Sequence, residues 1–281
     1  MNRMINRICL VTGATSGVGH AIATGLAKEK AHVILLVRNM QRGLPIRDQI
    51  VQETGNEGIE VFEADLSVQD SIRDFVSGFT KDHPELHVLS MNHGVLLPER
   101  QLSEDGIEMT WAVNYLSYFM LVNLLSGALK AGSPSRIASV VGTPGMLRWI
   151  RIHFEDLQSQ TKYNGFSAIG RSVLARLIFT SELSDRLSDS NVSAHVFHPG
   201  LVRSDFGRHL PSVLRFMHAL AVPFMRSGCP TGVRVCSDPE LRQPSGQYIV
   251  GRKAVDFKHT QLNKTVQAHL WKASQEMTGA G

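Results

Sequence analysis

Short apolar runs alternate with amphipathic stretches from residue 8 to near the end of this 281-residue chain. Ile8 to Thr12, His32 to Val37, Ile59 to Glu63, Val88 to Met91, Arg136 to Val141, Ser193 to Phe197 and Gln247 to Val250 each read as a strand. Between them, helical periodicity predicts helices over about Gly19–Lys30, a stretch ending at Thr54-Gly55, Ser67–Lys81, Met109–Lys130, Ser167–Leu187 and Thr265–Met277. Ser67 is the expected N-cap of its helix, with Asp70 at the capping-box position. Repeated βα units predict an α/β fold: a doubly wound parallel sheet with helices on both faces, in one domain over residues 1–281. Such sheets bind ligands beyond the carboxyl ends of their strands.

The first turn reads Thr12-Gly13-Ala14-Thr15-Ser16-Gly17-Val18-Gly19. It leaves a strand and opens a helix, the setting that a dinucleotide-binding turn requires. Gly13 permits the tight turn, Gly17 lets backbone approach a pyrophosphate, and Gly19 lets the helix pack closely on the sheet. Amides along Thr15, Ser16, Gly17 and Val18, at the positive end of the helix, are then placed to hold phosphates. At the end of the second strand stands Arg38-Asn39, where an acidic residue would bond a ribose 2′-hydroxyl. A guanidinium suits a 2′-phosphate, so NADP(H) is favoured over NAD(H).

The spacing of that turn resembles the short-chain dehydrogenase/reductase family, a Rossmann-type fold, and further landmarks follow in order. Asp65 in EADLS resembles the family's adenine-side acid. Asn92-His93-Gly94 resembles its N-A-G element, with histidine in the alanine place, and Asn114 in WAVNYLSYF its helix asparagine. His198-Pro199-Gly200-Leu201-Val202-Arg203-Ser204 resembles the segment that cups the nicotinamide, with Pro199, Gly200, Val202 and Ser204 as cofactor contacts. Arg203 and Asp205 beside it read as a surface pair. Segments RIHFEDLQ, LIFTSEL, SGQYIVGRK and LWKASQEMTG point to the retinol-dehydrogenase-like subgroup, so the likeness spans about residues 4–279.

The same resemblance exposes a gap. The family's catalytic serine, tyrosine and lysine map onto Gly142, Ile169 and Val173, leaving Asn114 alone of the usual tetrad. In the family the tyrosine exchanges a proton with the substrate oxygen, the lysine lowers its pKa, and the serine steadies the carbonyl. Glycine, isoleucine and valine have no side-chain donor or ionisable group. No tyrosine here is followed four residues later by lysine; Tyr248 precedes Arg252 at that spacing but is expected away from the site, on the final strand. His93, beside the cofactor segment, and Tyr163 are candidate replacement donors, each weighed against a purely structural role. Thr143, Met146, Arg148 and Trp149 are expected to line the pocket wall with them, under a lid at residues 203–225.

Composition narrows the rest. Hydrophobic residues make up 43% and charged residues 19%, a globular balance, and a net charge of +4 without long basic runs gives no case for nucleic acid. Three cysteines without metal spacing suit a reducing, cytoplasmic setting. No signal peptide is expected at the start, and no apolar run reaches membrane-spanning length, although Leu210 to Met225 is apolar enough to graze a surface. No metal set is expected: His195 and His198 lie three apart on a strand and point to opposite faces. The resemblance implies a homodimer or tetramer through the helices at Met109–Lys130 and Ser167–Leu187. Three functions stay open: non-standard chemistry such as cyclisation, isomerisation or dehydration on an apolar small molecule, a cofactor-binding pseudoenzyme acting as sensor or partner subunit, or a slow reductase with a replaced proton donor.

Overall fold

Cys9, Val11, Val33, Leu35 and Val37 turn to one side of a central sheet, while Leu10, Ile34 and Leu36 turn to the other, and all are buried. Strands apolar on both faces need cover on both, and the chain supplies it with helices. The computed structural model describes residues 3–202, 225 and 227–281. Its strands are β1 (Ile8–Thr12), β2 (His32–Val37), β3 (Ile59–Glu63), β4 (Val88–Met91), β5 (Ser135–Val140), β6 (Val192–His198), β7 (Tyr248–Val250) and β8 (Lys253–Val255). They form one eight-stranded sheet in the order β3-β2-β1-β4-β5-β6-β7-β8. Every neighbouring pair is parallel except β7 with β8, an antiparallel hairpin that the apolar pattern did not predict.

The principal helices are α1 (Gly17–Lys28), α2 (Met40–Thr54), α3 (Gln69–Asp82), α4 (Met109–Trp111 continuing to Ser117–Leu124), α5 (Ser126–Ala131), α6 (Pro144–Leu147), α7 (Gly165–Arg186), α8 (Pro230–Ser237) and α9 (Lys264–Thr278). One core joins the sheet to Phe75, Phe79, Tyr115, Phe119, Ile178, Phe179 and Trp271 from α3, α4, α7 and α9. The other joins it to Ile22, Leu26, Ile50, Val235 and Cys236 from α1, α2 and α8. The predicted helix at Met109 is interrupted: Ala112–Leu116 winds as a π-turn, and Leu125 separates α4 from α5. Such bulges inside α-helices recur at functional sites.

The expected Ser67 cap does not form. Asp65 takes the Ser67 hydroxyl and amide through Oδ1, at 2.6 and 2.8 Å, so α3 starts later, after Val68. Asp105, remote in sequence, accepts the Gln69 amide at 3.0 Å instead. The chain moves outward from β1 through β2 to β3, then returns to the other side of β1 with β4. That reversal opens a crevice between the carboxyl ends of β1 and β4.

Candidate functional site

The crevice is walled by two backbone segments that touch. A Cβ on Gly13, whose φ is +64°, would lie 2.8 Å from the His93 amide nitrogen. One on Gly19 would lie 2.4 Å from the Gly13 carbonyl oxygen. The turn after β1 therefore nests against the exit of β4 and the start of α1, and both contacts admit only glycine. Ser16 stands at the N-cap of α1 in extended backbone and makes no side-chain cap bond. The first-turn amides of Gly17 and Val18 thus face the crevice with the positive end of the helix behind them, which suits an anion. Thr15, Ser16, Gly17 and Val18 are partly exposed there, while Gly19 is buried.

Asn92 adds a second fit. Its Nδ2 donates to Ser90 Oγ at 3.0 Å, and its amide donates to Thr12 Oγ1 at 3.0 Å, but its buried Oδ1 has no protein partner. An orphaned acceptor beside a phosphate cradle suits a hydroxyl of a bound ribose. Asn114 sits on the π-turn and clamps the next backbone segment: Oδ1 accepts the Val95 amide at 2.7 Å and Nδ2 donates to the Val95 carbonyl at 2.9 Å. A Cβ on Gly94 would lie 3.2 Å from Asn114 Oδ1, so loop and helix are in close contact. Further out, Arg38 and Asn39 are exposed at the end of β2. Asn39 caps α2 by accepting the Arg42 amide at 3.2 Å, and Arg38 makes no ion pair among the described residues. Asp65 is committed to its turn through Oδ1, as above.

His93 is the most constrained side chain of the site. Ser117 donates its hydroxyl hydrogen to the Val113 carbonyl at 2.7 Å, so it accepts from His93 Nε2–H at 2.7 Å. Nδ1 then accepts from Thr12 Oγ1–H at 2.6 Å. The imidazole is thereby fixed as one neutral tautomer with both nitrogens engaged. Burial, and next the Arg176 guanidinium, push its pKa down to about 3. Arg176 itself is buried, lies 4.6 Å over the Tyr118 ring and donates from Nη1 to the Tyr118 hydroxyl at 2.8 Å. Tyr118 in turn donates to the His93 carbonyl at 2.7 Å. This arrangement braces the loop after β4.

On the other side of the site, the loop after β5 and the start of α7 bring together positions 142 and 173. A Cβ on Gly142 would meet Val173 Cγ1 at 4.0 Å. Ile169 lies one helical turn before Val173 on the same stripe of α7. Val173 is packed with Val141, Leu147, Leu177, Val196 and Tyr248 in a small apolar cluster. Tyr248, expected on the final strand away from the site, instead reaches it. β7 pairs with β6, and β6 with β5, so the Tyr248 ring reaches across and its hydroxyl donates to the Gly142 carbonyl. Burial raises its pKa, which makes it a poorer acid than free tyrosine.

Tyr163 is half-buried and donates to the Leu97 carbonyl at 3.1 Å, beside Thr110 Oγ1 at 3.2 Å; burial raises its pKa as well. Thr143 precedes the short α6, and beyond it Met146 and Trp149 are 69% and 80% exposed. Leu201, at 64%, and Phe166, at 46%, are exposed on the neighbouring loop and helix start. After β6, Gly200 donates its amide to His198 Nδ1 at 3.0 Å; Pro199 is partly exposed and Val202 buried. His195 faces away and bonds the Leu241 carbonyl at 2.7 Å. Arg203, Ser204, Asp205 and nearly all of the expected lid lie outside the described residues.

Comparison with known proteins agrees with this architecture. A family model described as short chain dehydrogenase matches residues 7–153. Retinol dehydrogenase 14 of Mus musculus is 35% identical over 292 residues, spanning 98% of this chain and 87% of that protein. The polyprenol dehydrogenase of Homo sapiens is 34% identical over 282 residues, spanning 98% and 86%. A crystal structure of an uncharacterised protein from Mycobacterium paratuberculosis superposes with a TM-score of 0.77 at 27% identity, over 98% of this chain and 94% of that one.

Proposed function

The chain belongs to the short-chain dehydrogenase family, in its retinol-dehydrogenase-like branch, and from that premise we propose that it binds NADP(H) beside an apolar ligand without the family's tyrosine-based proton transfer. One observation carries the reading. Gly142 and Val173 adjoin in an apolar cluster with Ile169 a turn away, while His93, Tyr163 and Tyr248 all have their hydrogens committed to protein acceptors. None of these three is left to serve a carbonyl oxygen there. Replacement donors at His93 or Tyr163 lose support for the same reason. An imidazole titrating near 3 with both nitrogens occupied is a brace, not a catalyst.

The cofactor half of the proposal rests on the uncapped start of α1, the glycine contacts at 13 and 19, and the orphaned Asn92 Oδ1. Gly13 to Gly19 would hold the pyrophosphate, Asn92 a ribose hydroxyl, Asp65 the adenine edge, and Arg38 the 2′-phosphate that distinguishes NADP(H) from NAD(H). Asn114 positions the floor through Val95, and Gly94, Pro199, Gly200 and Val202 complete the nicotinamide side. When bound, the nicotinamide supplies a hydride donor or acceptor. The apolar-ligand half rests on Met146, Trp149, Phe166 and Leu201, exposed around the same edge, and on relatives named for retinol and polyprenol. A second reading is favoured by that same apolar rim: an enzyme whose reaction needs shape and dryness rather than an acid, with cyclisation or isomerisation as examples.

Restoring the lost groups tests the proposal. Gly142→Ser has room, because only Val173 would approach a new Cβ. The triple variant Gly142→Ser, Ile169→Tyr, Val173→Lys is expected to gain NADPH-dependent reduction of lipophilic aldehydes by about a hundredfold over the parent. Prompt reduction by the parent itself, no faster in the triple variant, would mean that the parent already has a proton donor, and would sink the reading.

A further inference from the structure

A second cluster of chemically active side chains lies at the opposite end of the sheet from the cofactor crevice. His32 opens β2, Glu60 is the second residue of β3, and His83 follows the last turn of α3. Glu60 pairs in register with Ile34, two residues beyond His32, so His32 and Glu60 project from the same face of the sheet, towards α3. His32 Nε2 lies 2.5 Å from Glu60 Oε1, and His83 Nε2 lies 3.4 Å from Glu60 Oε2. One atom from each of the three residues falls within 4.8 Å of the others.

We propose that His32, Glu60 and His83 form a zinc site that clips edge strand β3 to β2 and to the end of α3. The donor set is two imidazoles and one carboxylate, a combination that zinc takes readily and that carries a single negative charge against its two positive ones. Bonds of about 2.0–2.1 Å to a tetrahedral ion place donor atoms about 3.3 Å apart. The observed separations fall on both sides of that value, so small side-chain rotations seat the ion. Both histidines present Nε2, which leaves each Nδ1 for outer partners.

The ligands are held as a metal site needs. The His83 ring is tilted against Phe79 at 5.1 Å and meets the edge of Phe62 at 6.1 Å, and its amide donates to the Phe79 carbonyl at 2.8 Å. Its side chain is only 11% exposed, whereas those of His32 and Glu60 are 34% and 41% exposed. One ligand is thus rigid and buried, and two face solvent, giving the ion a way in and a position for water. The location also has a mechanical use. β3 is the outermost strand, hydrogen-bonded on one side only, and the cluster ties its beginning to two neighbours. No metal set was expected from His195 and His198; this cluster draws instead on two residues joined by strand register and a third brought by the end of α3.

Zinc chloride is titrated calorimetrically into the full chain after chelator stripping, with thermal melting followed in parallel. The wild type is expected to bind one equivalent and to melt higher with zinc than without. Glu60→Gln, nearly isosteric and half-exposed, and His83→Ala should each weaken binding by about tenfold or more and lose the melting shift. His153→Ala, an exposed histidine elsewhere, should bind as the wild type does. No uptake by the wild type would reduce the cluster to hydrogen bonds and overturn the proposal. Undiminished uptake by Glu60→Gln and His83→Ala would overturn it equally, by placing the ion somewhere else. Neither result bears on cofactor binding, which lies at the other end of the strands.

Discussion

The carboxyl edge of the sheet has two halves, and they have been treated differently. Around β1 and β4, polar groups are dense and interlocked: Thr12, Asn92, His93, Ser117 and Asn114 bond one another or the backbone, and glycine contacts hold the turn to the loop. Around the loop after β5 and the start of α7 stand Gly142, Ile169 and Val173, and Val173 packs with Val141, Leu147 and Leu177. A binding cradle is made largely from backbone and can survive while side-chain chemistry beside it is exchanged for packing. A proton relay is made from side chains alone, so apolar side chains in its place cannot run it. The contrast teaches that fold and cofactor geometry in this family do not by themselves imply the reaction.

The largest effect should come from the cradle. Gly19→Val drives a side chain into the Gly13 carbonyl, and we expect at least a hundredfold loss of NADPH affinity by fluorescence titration, with about 3 kcal/mol of stability lost in urea. Unchanged binding would show that the turn does not hold the dinucleotide.

Acid should expose the brace next. His93 titrates near 3 in the folded chain against 6.5 ordinarily, so the unfolded chain takes up a proton that the folded one refuses. Stability conferred by the neutral ring is complete above about pH 6.5 and is lost as pH falls towards 3, at up to about 1.4 kcal/mol per pH unit. His195, pushed by burial down to about 4, adds in the same sense. His93→Gln should flatten the first contribution in urea midpoints measured against pH, and an unaltered slope would remove His93 from the account. Smaller again, Arg38→Ala should lower the preference for NADPH over NADH by about tenfold in paired titrations. Smallest, Tyr163→Phe should cost about 1 kcal/mol or less and leave any turnover unchanged. A large loss of turnover there would reinstate Tyr163 as a donor.

Much of this was legible in the chain. Strand runs such as His32–Val37 and the spacing from Thr12 to Gly19 carry their own physics, so the sheet, its crevice and the tight glycine turn followed directly. Asn114 was legible through the family resemblance, but the π-turn beneath it was not, because one extra residue in a helical turn leaves no mark on a uniformly apolar stretch. The Ser67 cap failed because Asp65 competes locally for its hydroxyl, while Asp105 arrives from a distant loop. Tyr248 was misjudged because its reach depends on the register of β5, β6 and β7, which hydrophobic pattern does not encode. The β7–β8 hairpin was hidden by Lys253-Ala254-Val255, too short and too exposed to read as a strand. His32 and Glu60 met through strand pairing and His83 through the packing of α3 on the sheet, with no spacing to announce them.

The central claim is that this chain holds a nicotinamide dinucleotide beside positions unable to pass a proton. The most direct measurement follows one sample of the wild type through NADPH titration and then through addition of excess lipophilic aldehyde, reading bound nicotinamide fluorescence and NADPH consumption together. The account predicts saturable binding at one NADPH per chain and no measurable consumption. Prompt NADPH oxidation that disappears in Tyr248→Phe would contradict it, because a tyrosine would then be working where none is free to work.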